Sequence, residues 1–283
     1  MILIADSGAT KTDWMILSEN SGIEIQTKGI NPFHQTKDKI QSVICKELVP
    51  KLKNFDTNDI DSIFFYGAGC LPETSTAIKE ILDNTFVNAN SEIHTDLTGA
   101  ARALCKNSPG IACILGTGAN SCEYDGTNII NNVSPLGYIL GDEGSGAYLG
   151  KRFIGDCLKN QLPSYLKEGM LKELNLNVKG ILDKVYREPQ ANRFLASVTP
   201  YIYRHKSDKD VKEFLKDCFG DFFKRNLRSY NKNLKVSFTG SVAWFFQDEI
   251  TETATGLGYS TGIFIKNPIY GLADYHKNQF INI

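Results

Sequence analysis

Two glycine-containing loops, each directly after a short apolar run, carry the residue types best suited to phosphate chemistry. The first loop spans residues 6–13, DSGATKTD, and follows the apolar start of the chain. The second spans residues 115–120, LGTGAN, and follows the run IACI at residues 111–114. Glycine lets backbone N–H groups approach an anion that a Cβ atom would exclude. The two loops therefore predict a pair of hairpins that face the phosphates of one nucleotide.

The context of these loops excludes the common nucleotide-binding motifs. Each turn leads into a mixed or apolar stretch typical of a returning strand, residues 14–17 and 121–124, and not into a long helix. Lys11 lacks the GxxxxGK[ST] spacing of a P-loop, and no GxGxxG opens a helix. Duplicated hairpins are the better interpretation.

Asp6 is placed to serve a cation, because it ends the first strand beside the first turn. A carboxylate there can hold the water ligands of Mg²⁺, which keeps part of its hydration shell in proteins. Phosphate oxygens can be met by the amides of Gly8 and Ala9 and by the hydroxyls of Thr10 and Thr12. Lys11 either adds a positive charge at the phosphates or points to solvent. The alternative for the whole loop is a tight hairpin whose Asp and Thr side chains cap their own backbone.

Length and charge favour two lobes and a small-molecule partner. The 283 residues exceed the usual size of one domain and suit two lobes of roughly 110 to 160 residues each. The net charge of −1, from 31 basic and 32 acidic residues, gives no general field for nucleic acid or an anionic membrane. The longest apolar runs, such as residues 63–66 and 244–246, are far below the span of a bilayer. No basic segment precedes Asp6, so we expect no signal peptide and a cytoplasmic protein.

The cysteines indicate a reduced protein. The seven of them, at positions 45, 70, 105, 113, 122, 157 and 218, include no CxxC pair. We expect buried thiols. Cys113 and Cys122 flank the second loop, where strand packing is expected.

Hydrophobic patterning predicts an α/β protein. Strands are expected at 2–5, 13–17, 23–27, 62–66 and 92–94, and helices at 36–53, 74–84 and 98–106. The second lobe opens with a strand near 110, is mostly helical over 145–227, and contains an apolar stripe over 211–223 that we assign to the core. A strand at 236–238, a helix at 242–254, a strand at 262–265 and a helix from 271 complete the chain. The predicted lobes are 1–109 plus 271–283, and 110–270.

Five motifs in order carry a resemblance to a known family. Residues 6–13, 95–100, 116–120, 141–145 and 239–241 resemble, in this order, the motifs of the BadF/BadG/BcrA/BcrD ATPase family. Within that family the chain is most similar to the N-acetylglucosamine kinases. The resemblance implies the duplicated, ribonuclease H-like fold of actin, hexokinase and Hsp70, with two lobes and an interlobe cleft. It also implies ATP and Mg²⁺ as cofactors and a sugar as substrate.

Asp96 is the candidate general base. It ends an apolar strand and precedes a helix, and it resembles the family aspartate that contacts the sugar hydroxyl to be phosphorylated. The alternative is a simple helix N-cap.

The resemblance also implies the sugar site. Asn31, Asn120 and Asp142 match positions that contact the amino sugar, with Gly118 and Ala119 in the same loop and Phe33 as an apolar wall. Each of the three polar residues has a turn-forming alternative. Ala119 stands where the family often has serine, and Pro32-Phe33 stands where a histidine–tryptophan pair can follow the asparagine. N-acetylmuramic acid therefore stays open as the acceptor.

The remaining nucleotide contacts also come from the resemblance. The second phosphate loop consists of Gly116, Thr117 and Gly118. Gly240 and Ser241 resemble the adenosine motif, and Gly271 resembles a second glycine contact. Ordinary helix caps are the alternative for both glycines.

The expected function is transfer of the γ-phosphoryl group of ATP to N-acetylglucosamine, at its 6-hydroxyl. Alternatives are an N-acetylmuramic acid kinase and an ATPase that activates an electron-transfer or dehydratase partner. A regulator that has lost catalysis is disfavoured, because Asp6, Asp96 and Asp142 are all retained as acids. A homodimer is common among such kinases.

Overall fold

The computed structural model describes residues 1–8, 10–18 and 22–280, without the side chains of residues 278–280. It divides into two compact units, Met1–Asn107 with Asn267–Ile283, and Ser108–Lys266. The second break therefore precedes the predicted boundary at 270/271. The reason is local: the last helix begins at Pro268, a residue suited to a first helical turn, and runs on as part of the first unit.

The first unit is built on a five-stranded sheet of order β3-β2-β1-β4-β5. Strands β1, β2 and β3 form an antiparallel meander, whereas β4 and β5 run parallel to β1. The carboxyl ends of β1, β4 and β5 consequently meet at one edge, where Ser7, Gly67 and Thr95 are in register. The strands are β1 Ile2–Ser7, β2 Lys11–Leu17, β3 Gly22–Lys28, β4 Ser62–Gly67 and β5 Asn90–Thr95.

Helices cover both faces of this sheet. Alternate residues such as Leu3, Trp14 and Phe65 form a buried core with α1 Lys37–Val43 and α2 Pro72–Thr85. The helices α3 Asp96–Cys105 and α13 Pro268–Phe280 pack against each other and against β1, β2 and β4. The helix predicted over 36–53 is broken, because α1 passes into a π turn at Ile44–Leu48 and a 3-10 turn at Val49–Leu52. Pro50 lies in that last turn and has no N–H to continue the helix.

The second unit repeats the same sheet topology. Its order is β10-β9-β6-β7-β8, with β6, β7 and β8 antiparallel and with β9 and β10 parallel to β6. This equivalence confirms the predicted duplicated α/β fold. The strands are β6 Gly110–Leu115, β7 Ala119–Tyr124, β8 Ile129–Asn131, β9 Val236–Thr239 and β10 Thr261–Ile265.

The segment between β8 and β9 supplies most of the helices of the second unit. The stripe predicted over 211–223 is buried along one long helix, as expected for core. The helix predicted over 242–254 is interrupted at Phe246, which separates two helices. No helix in the described ranges has the length and apolarity needed to cross a membrane. The helices are α4 Gly137–Leu140, α5 Gly146–Leu158, α6 Ser164–Leu174, α7 Val178–Tyr186, α8 Ala191–Ala196, α9 Thr199–Arg204, α10 Lys209–Asn226, α11 Ser241–Phe245 and α12 Gln247–Gly256.

Candidate active site

Three carboxylates gather at the carboxyl edge of the first sheet. Asp6 near the end of β1 is the direct cross-strand partner of Asp13 on β2. Asp96 follows β5 as the first residue of α3. Directly opposed residues of an antiparallel pair project from the same face, with Cβ atoms about 4.5–5.5 Å apart. The arrangement concentrates negative charge at one place in the first unit.

Asp13 is the partner of Lys11 in the first hairpin. The Lys11 ammonium lies 2.7 Å from Asp13 Oδ2, and Gln26 Nε2 donates to Asp13 Oδ1 at 2.7 Å. Asp13 is buried, so both of its oxygens need such donors. Lys11 is thus engaged by a carboxylate in this structure.

Among the described residues, Asp6 has no comparable ion pair, and its surroundings disfavour the charged carboxylate. Burial raises its pKa from 3.8 to about 7, the Asp13 and Asp96 carboxylates act in the same direction, and only Lys11 opposes them. A carboxyl group in this setting gains most from an arriving cation. The described residues contain no group of three or more His, Cys, Asp or Glu side chains that could hold a metal ion. A cation here would therefore depend on water or phosphate oxygens for its remaining ligands.

Asp96 is not the N-cap of its helix. That position is Thr95, whose hydroxyl accepts the N–H of Thr98 at 3.1 Å. Asp96 Oδ1 accepts the neighbouring N–H of Leu97, at 2.9 Å, and the carboxylate also interacts with the N–H of Asp96 itself. Burial raises the pKa of Asp96 above its ordinary value, and the Leu97 hydrogen bond opposes that rise. A carboxyl group that does not cap its helix, and whose pKa is raised, is suited to accept a proton.

The first hairpin is a tight turn that leaves its tip exposed. Gly8 N–H donates to the Lys11 carbonyl at 3.0 Å, and both Gly8 and Thr10 are exposed. The predicted phosphate role of the Thr12 hydroxyl needs correction. Thr12 is fully buried, and its hydroxyl bonds to Ser7 Oγ at 2.7 Å and donates to the Lys28 carbonyl at 3.1 Å. Ala9, also predicted to bind phosphate, lies outside the described residues.

Asn31 organises a short loop over the turn that ends β4. Its Oδ1 accepts the N–H of Phe33 at 3.0 Å, and its own N–H donates to Gln35 Oε1 at 3.0 Å. A Cβ atom at Gly69, where φ is +75°, would collide with the Asn31 side chain. Asn31 Nδ2 donates to none of the described residues, and Phe33 beside it is 64% exposed. The loop therefore presents an amide donor and an aromatic face together.

The second hairpin is anchored through its carbonyl oxygens. Gly116 and Thr117 accept N–H groups from Gly146 and Ala147, at 2.8 and 3.0 Å. Those donors belong to the first turn of α5, whose N–H groups have no partners within the helix. A Cβ atom at Gly116 would meet nothing within 4 Å. The loop is held from behind while its outer side stays open, as a phosphate cradle requires.

Asp142 reaches this second hairpin from a strained backbone position. Its φ is +55°, which is uncommon for a residue other than glycine. Its Oδ1 accepts the N–H of Ala119 at 3.3 Å, and its Oδ2 lies 3.1 Å from the place of a Cβ on Gly118. Burial raises the pKa of Asp142 to about 6, with Glu143 adding to the rise and the Ala119 hydrogen bond and Lys151 opposing it. The predicted residues Gly118, Ala119 and Asp142 are thus in contact.

Two neighbours of Asp142 have distinct roles. Glu143 is buried and pairs with Arg225 Nε at 2.6 Å, while Asn226 Nδ2 donates to it at 3.2 Å. These bonds tie the residue after Asp142 to the end of α10. Asn120 uses its Oδ1 to accept Ser121 N–H at 2.9 Å and Asn132 Nδ2 at 3.1 Å. Within the described ranges, Asn120 Nδ2 donates to no protein group.

The two predicted adenosine glycines differ in their surroundings. Gly240 has φ +105°, and a Cβ atom there would lie 2.5 Å from the Leu115 carbonyl oxygen, next to the second hairpin. The exposed Ser241 begins α11 just beyond it. Gly271 lies inside α13, where a Cβ would come within 2.7 Å of the Ala103 carbonyl oxygen. Gly271 therefore serves close packing of α13 on α3 in this structure.

Sequence reasoning missed Asp13 and Lys151 as parts of the site. Strand alternation was a usable signal for Asp13, because a residue opposite Asp6 across a hairpin must share its face. Lys151 carried no signal, because its amine reaches the Asp142 segment through tertiary structure: it donates to the Tyr138 carbonyl at 2.8 Å. Five of the seven cysteines are buried as expected, including Cys113 and Cys122 in β6 and β7, whereas Cys105 is half-buried and Cys45 is exposed.

Comparison with known proteins gives a close structural relative. No protein-family model and no curated protein sequence matches the chain. A solved structure from Porphyromonas gingivalis, a provisionally assigned N-acetylglucosamine kinase, is 45% identical, with a TM-score of 0.94 over 98% of this chain and 99% of that one.

More distant structures share the fold. A provisionally assigned N-acetylglucosamine kinase from Chromobacterium violaceum is 17% identical, with a TM-score of 0.74 over 95% of this chain and 96% of that one. A provisionally assigned N-acetylmannosamine kinase from Listeria monocytogenes is 11% identical, with a TM-score of 0.53 over 98% and 99%. These two support the fold alone. The close similarity to the P. gingivalis protein, over nearly the full length of both chains, shows that this chain belongs to the same family as that provisionally assigned N-acetylglucosamine kinase.

Proposed function

We propose that this protein is an ATP-dependent sugar kinase that phosphorylates N-acetylglucosamine at its 6-hydroxyl. The observation that carries the proposal is the 45% identity, across nearly the whole chain, to a provisionally assigned N-acetylglucosamine kinase. The carboxylates and glycine turns described above supply the groups that phosphoryl transfer needs: positioning, charge neutralisation and a base.

Asp96 is the proposed general base. It would accept the proton of the acceptor hydroxyl as that oxygen attacks the γ-phosphorus. Its raised pKa supports this role, because a base whose pKa lies closer to neutrality both accepts the proton and releases it again. A positioned base of this kind contributes about 10²- to 10⁴-fold to the rate.

Asp6 is the proposed Mg²⁺-associated residue. Burial raises the pKa of Asp6 to about 7, and the Asp13 and Asp96 carboxylates add to that rise. This environment supports the fit of a cation beside Asp6. Mg²⁺ would supply charge neutralisation at the phosphate oxygens when bound. Thr10 and Thr117, which are exposed in the two hairpins, are proposed to contact the phosphates. Gly8 and Gly116 are proposed to let the phosphates approach closely, because their own N–H groups donate within the hairpins. The open space at Gly116 supports this assignment.

The proposed sugar ligands are Asn31, Asn120 and Asp142. Two amide donors without described protein partners and one carboxylate match the vicinal hydroxyls and acetamido group of an amino sugar. Phe33 adds an exposed aromatic face that could cover the ring or the acetyl methyl.

The test is ADP release with Mg-ATP over a panel of N-acetylglucosamine, N-acetylmuramic acid, N-acetylmannosamine, glucosamine and glucose. Phosphorus and carbon NMR of the product then identifies the phosphorylated oxygen. The proposal predicts strong stimulation by N-acetylglucosamine and a phosphate on its C6 oxygen. Stimulation by N-acetylmuramic acid alone would reassign the acceptor. ADP release that is independent of every sugar would contradict the kinase.

A further inference from the structure

The segment that contains Asp142 is not anchored by burial of its large aliphatic side chains. We name residues 135–142 the acceptor loop; it contains the short helix α4. Leu136, Ile139 and Leu140 in this loop are 61%, 71% and 70% exposed. Beneath it lies a cavity of about 280 Å³, lined in part by Pro135, Leu140 and Arg225. Tyr138 is the loop residue that packs partly against the core of the second unit.

The hydrogen bonds within the acceptor loop fix its shape but not its position. Gly141 N–H donates to the Gly137 carbonyl at 2.8 Å, and Asp142 N–H donates to the Pro135 carbonyl at 2.9 Å. The φ angles of Leu136, Gly137 and Asp142 are +60°, +72° and +55°. Such left-handed positions persist only where surrounding contacts hold them. A tie from outside the loop is therefore needed.

Lys151 provides such a tie from the second turn of α5. Its ammonium donates to the Tyr138 carbonyl at 2.8 Å, in the middle of the acceptor loop. It also lies 5.3 Å from the centroid of the Tyr148 ring, which limits its freedom. Burial lowers the pKa of Lys151, while the negative charges of Glu143 and Asp142 oppose that change. A desolvated ammonium makes a stronger hydrogen bond than an exposed one.

The charge of Lys151 also acts on Asp142 itself. Asp142 is half-buried, and the hydrogen bond that its carboxylate accepts from Ala119 N–H, outside the acceptor loop, is long at 3.3 Å. A nearby ammonium favours the ionised carboxylate, which accepts hydrogen bonds from sugar hydroxyls better than a carboxylic acid does. One lysine thus supports both the position and the charge of this residue.

We propose that Lys151 is a positioning residue for the amino-sugar site: it holds the acceptor loop through the Tyr138 carbonyl and so sets where Asp142 meets the sugar. This inference rests on the proposed function for the identity of the ligand. The position of the acceptor loop in the ligand-free protein does not depend on that function, so the two can be tested separately.

The kinetic test compares Lys151→Met, Lys151→Arg and Lys159→Met. Lys159 is an exposed lysine just after the end of α5 and serves as the matched control. Losing a charge-assisted hydrogen bond should raise KM for N-acetylglucosamine about tenfold. KM for ATP should stay near the wild-type value, Lys151→Arg should restore most of the loss, and Lys159→Met should behave as wild type. Equal increases in both KM values, or no change in either, would overturn the proposal.

The structural test uses hydrogen exchange of the ligand-free proteins. Lys151→Met should speed the exchange of the amides of residues 138–142 about tenfold, with no change in α10 or β6. Lys151→Leu, which also lacks a donor, replaces Lys151→Met if that variant does not fold. Unchanged exchange in the acceptor loop would reject the positioning role. If wild-type protein phosphorylates no amino sugar, the proposed function fails while this experiment still decides the role of Lys151.

Discussion

Asp6 and Asp13 face each other as a directly opposed pair across the first hairpin, yet within the described ranges only Asp13 forms an ion pair. Lys11 and Gln26 satisfy both oxygens of Asp13. Asp6 is left between Asp13 and Asp96, with its pKa raised by burial and by both carboxylates to about 7. The hairpin therefore pairs one carboxylate with an ammonium group and leaves the other ready for a cation.

The pH dependence of stability should reveal the raised pKa of Asp6. The folded-state pKa of Asp6, about 7, lies above its ordinary value of 3.8, so the folded protein holds this proton more tightly than the unfolded chain does. The resulting stabilisation is complete below about pH 4 and is lost as pH rises through 7. We expect the ligand-free protein to melt at lower temperature at pH 8 than at pH 5. Asp6→Asn should make this dependence shallower, measured by calorimetry across that range.

Part of the slope should remain in Asp6→Asn, because the pKa values of Asp96 and Asp142 are also raised by burial. Asp217→Asn, on the exposed side of α10, is the control and should leave the slope unchanged. An Asp6→Asn protein with the full wild-type slope would refute the assignment of the raised pKa to Asp6.

Lys11 should matter more for stability than for nucleotide affinity. Lys11→Met would leave the buried Asp13 carboxylate with Gln26 as its described donor, at a cost of about 1–3 kcal/mol in the free energy of unfolding. Asp13→Asn in the same background should recover part of this loss, giving a coupling energy of about 0.5–3 kcal/mol in a double-mutant cycle. Urea unfolding of the four proteins measures it. Additive losses would contradict the pairing of Lys11 with Asp13. A large rise in KM for ATP in Lys11→Met would show that Lys11 serves the phosphates instead.

Substitution of two glycines at the second hairpin, Gly240 and Gly116, should affect stability and ATP affinity differently. Gly240→Ala places a Cβ 2.5 Å from the Leu115 carbonyl oxygen at φ +105°, which should cost about 1–3 kcal/mol of stability. Gly116→Ala meets no atom within 4 Å, so its stability should stay within about 0.5 kcal/mol of wild type. Its ATP affinity should nevertheless fall about tenfold, because the methyl group occupies the space proposed for phosphate.

Gly155→Ala is the matched control for that comparison. Gly155 lies within α5, and a Cβ there also meets nothing within 4 Å. Thermal melts and ATP titrations of the three variants suffice. Normal ATP affinity in Gly116→Ala would argue against a phosphate at that loop.

The sheets were predictable from the sequence because their signals are local. Short apolar runs identified the strands that end at Ser7 and Leu115, and glycine identified the turns that follow them. The segment predicted as a helix over 36–53 is helical over 37–52, but it changes from α to π geometry at Ile44 and to 3-10 geometry at Val49, where Pro50 lacks the N–H that would continue an α-helix. The helix predicted over 242–254 is interrupted at Phe246. Phe246 is buried and fits the apolar helical pattern, so its residue type does not reveal the interruption.

The site was predictable only in part, because side-chain partners depend on tertiary contacts. Motif order correctly brought Gly118 and Asp142 together. It did not reveal that Thr12 turns its hydroxyl toward Ser7, or that Lys11 pairs with Asp13. The left-handed backbone of Asp142 and its neighbour Lys151 have no sequence signature at all.

The most direct test of the account is the rate of ADP formation with N-acetylglucosamine for wild type, Asp96→Asn and Asp38→Asn, with ATP affinity measured in parallel. Asp38 is exposed in the first turn of α1 and serves as the control. The account predicts that Asp96→Asn lowers kcat by about 10²- to 10⁴-fold while ATP affinity stays near wild type, and that Asp38→Asn changes neither. An Asp96→Asn enzyme that phosphorylates the sugar at the wild-type rate would contradict it.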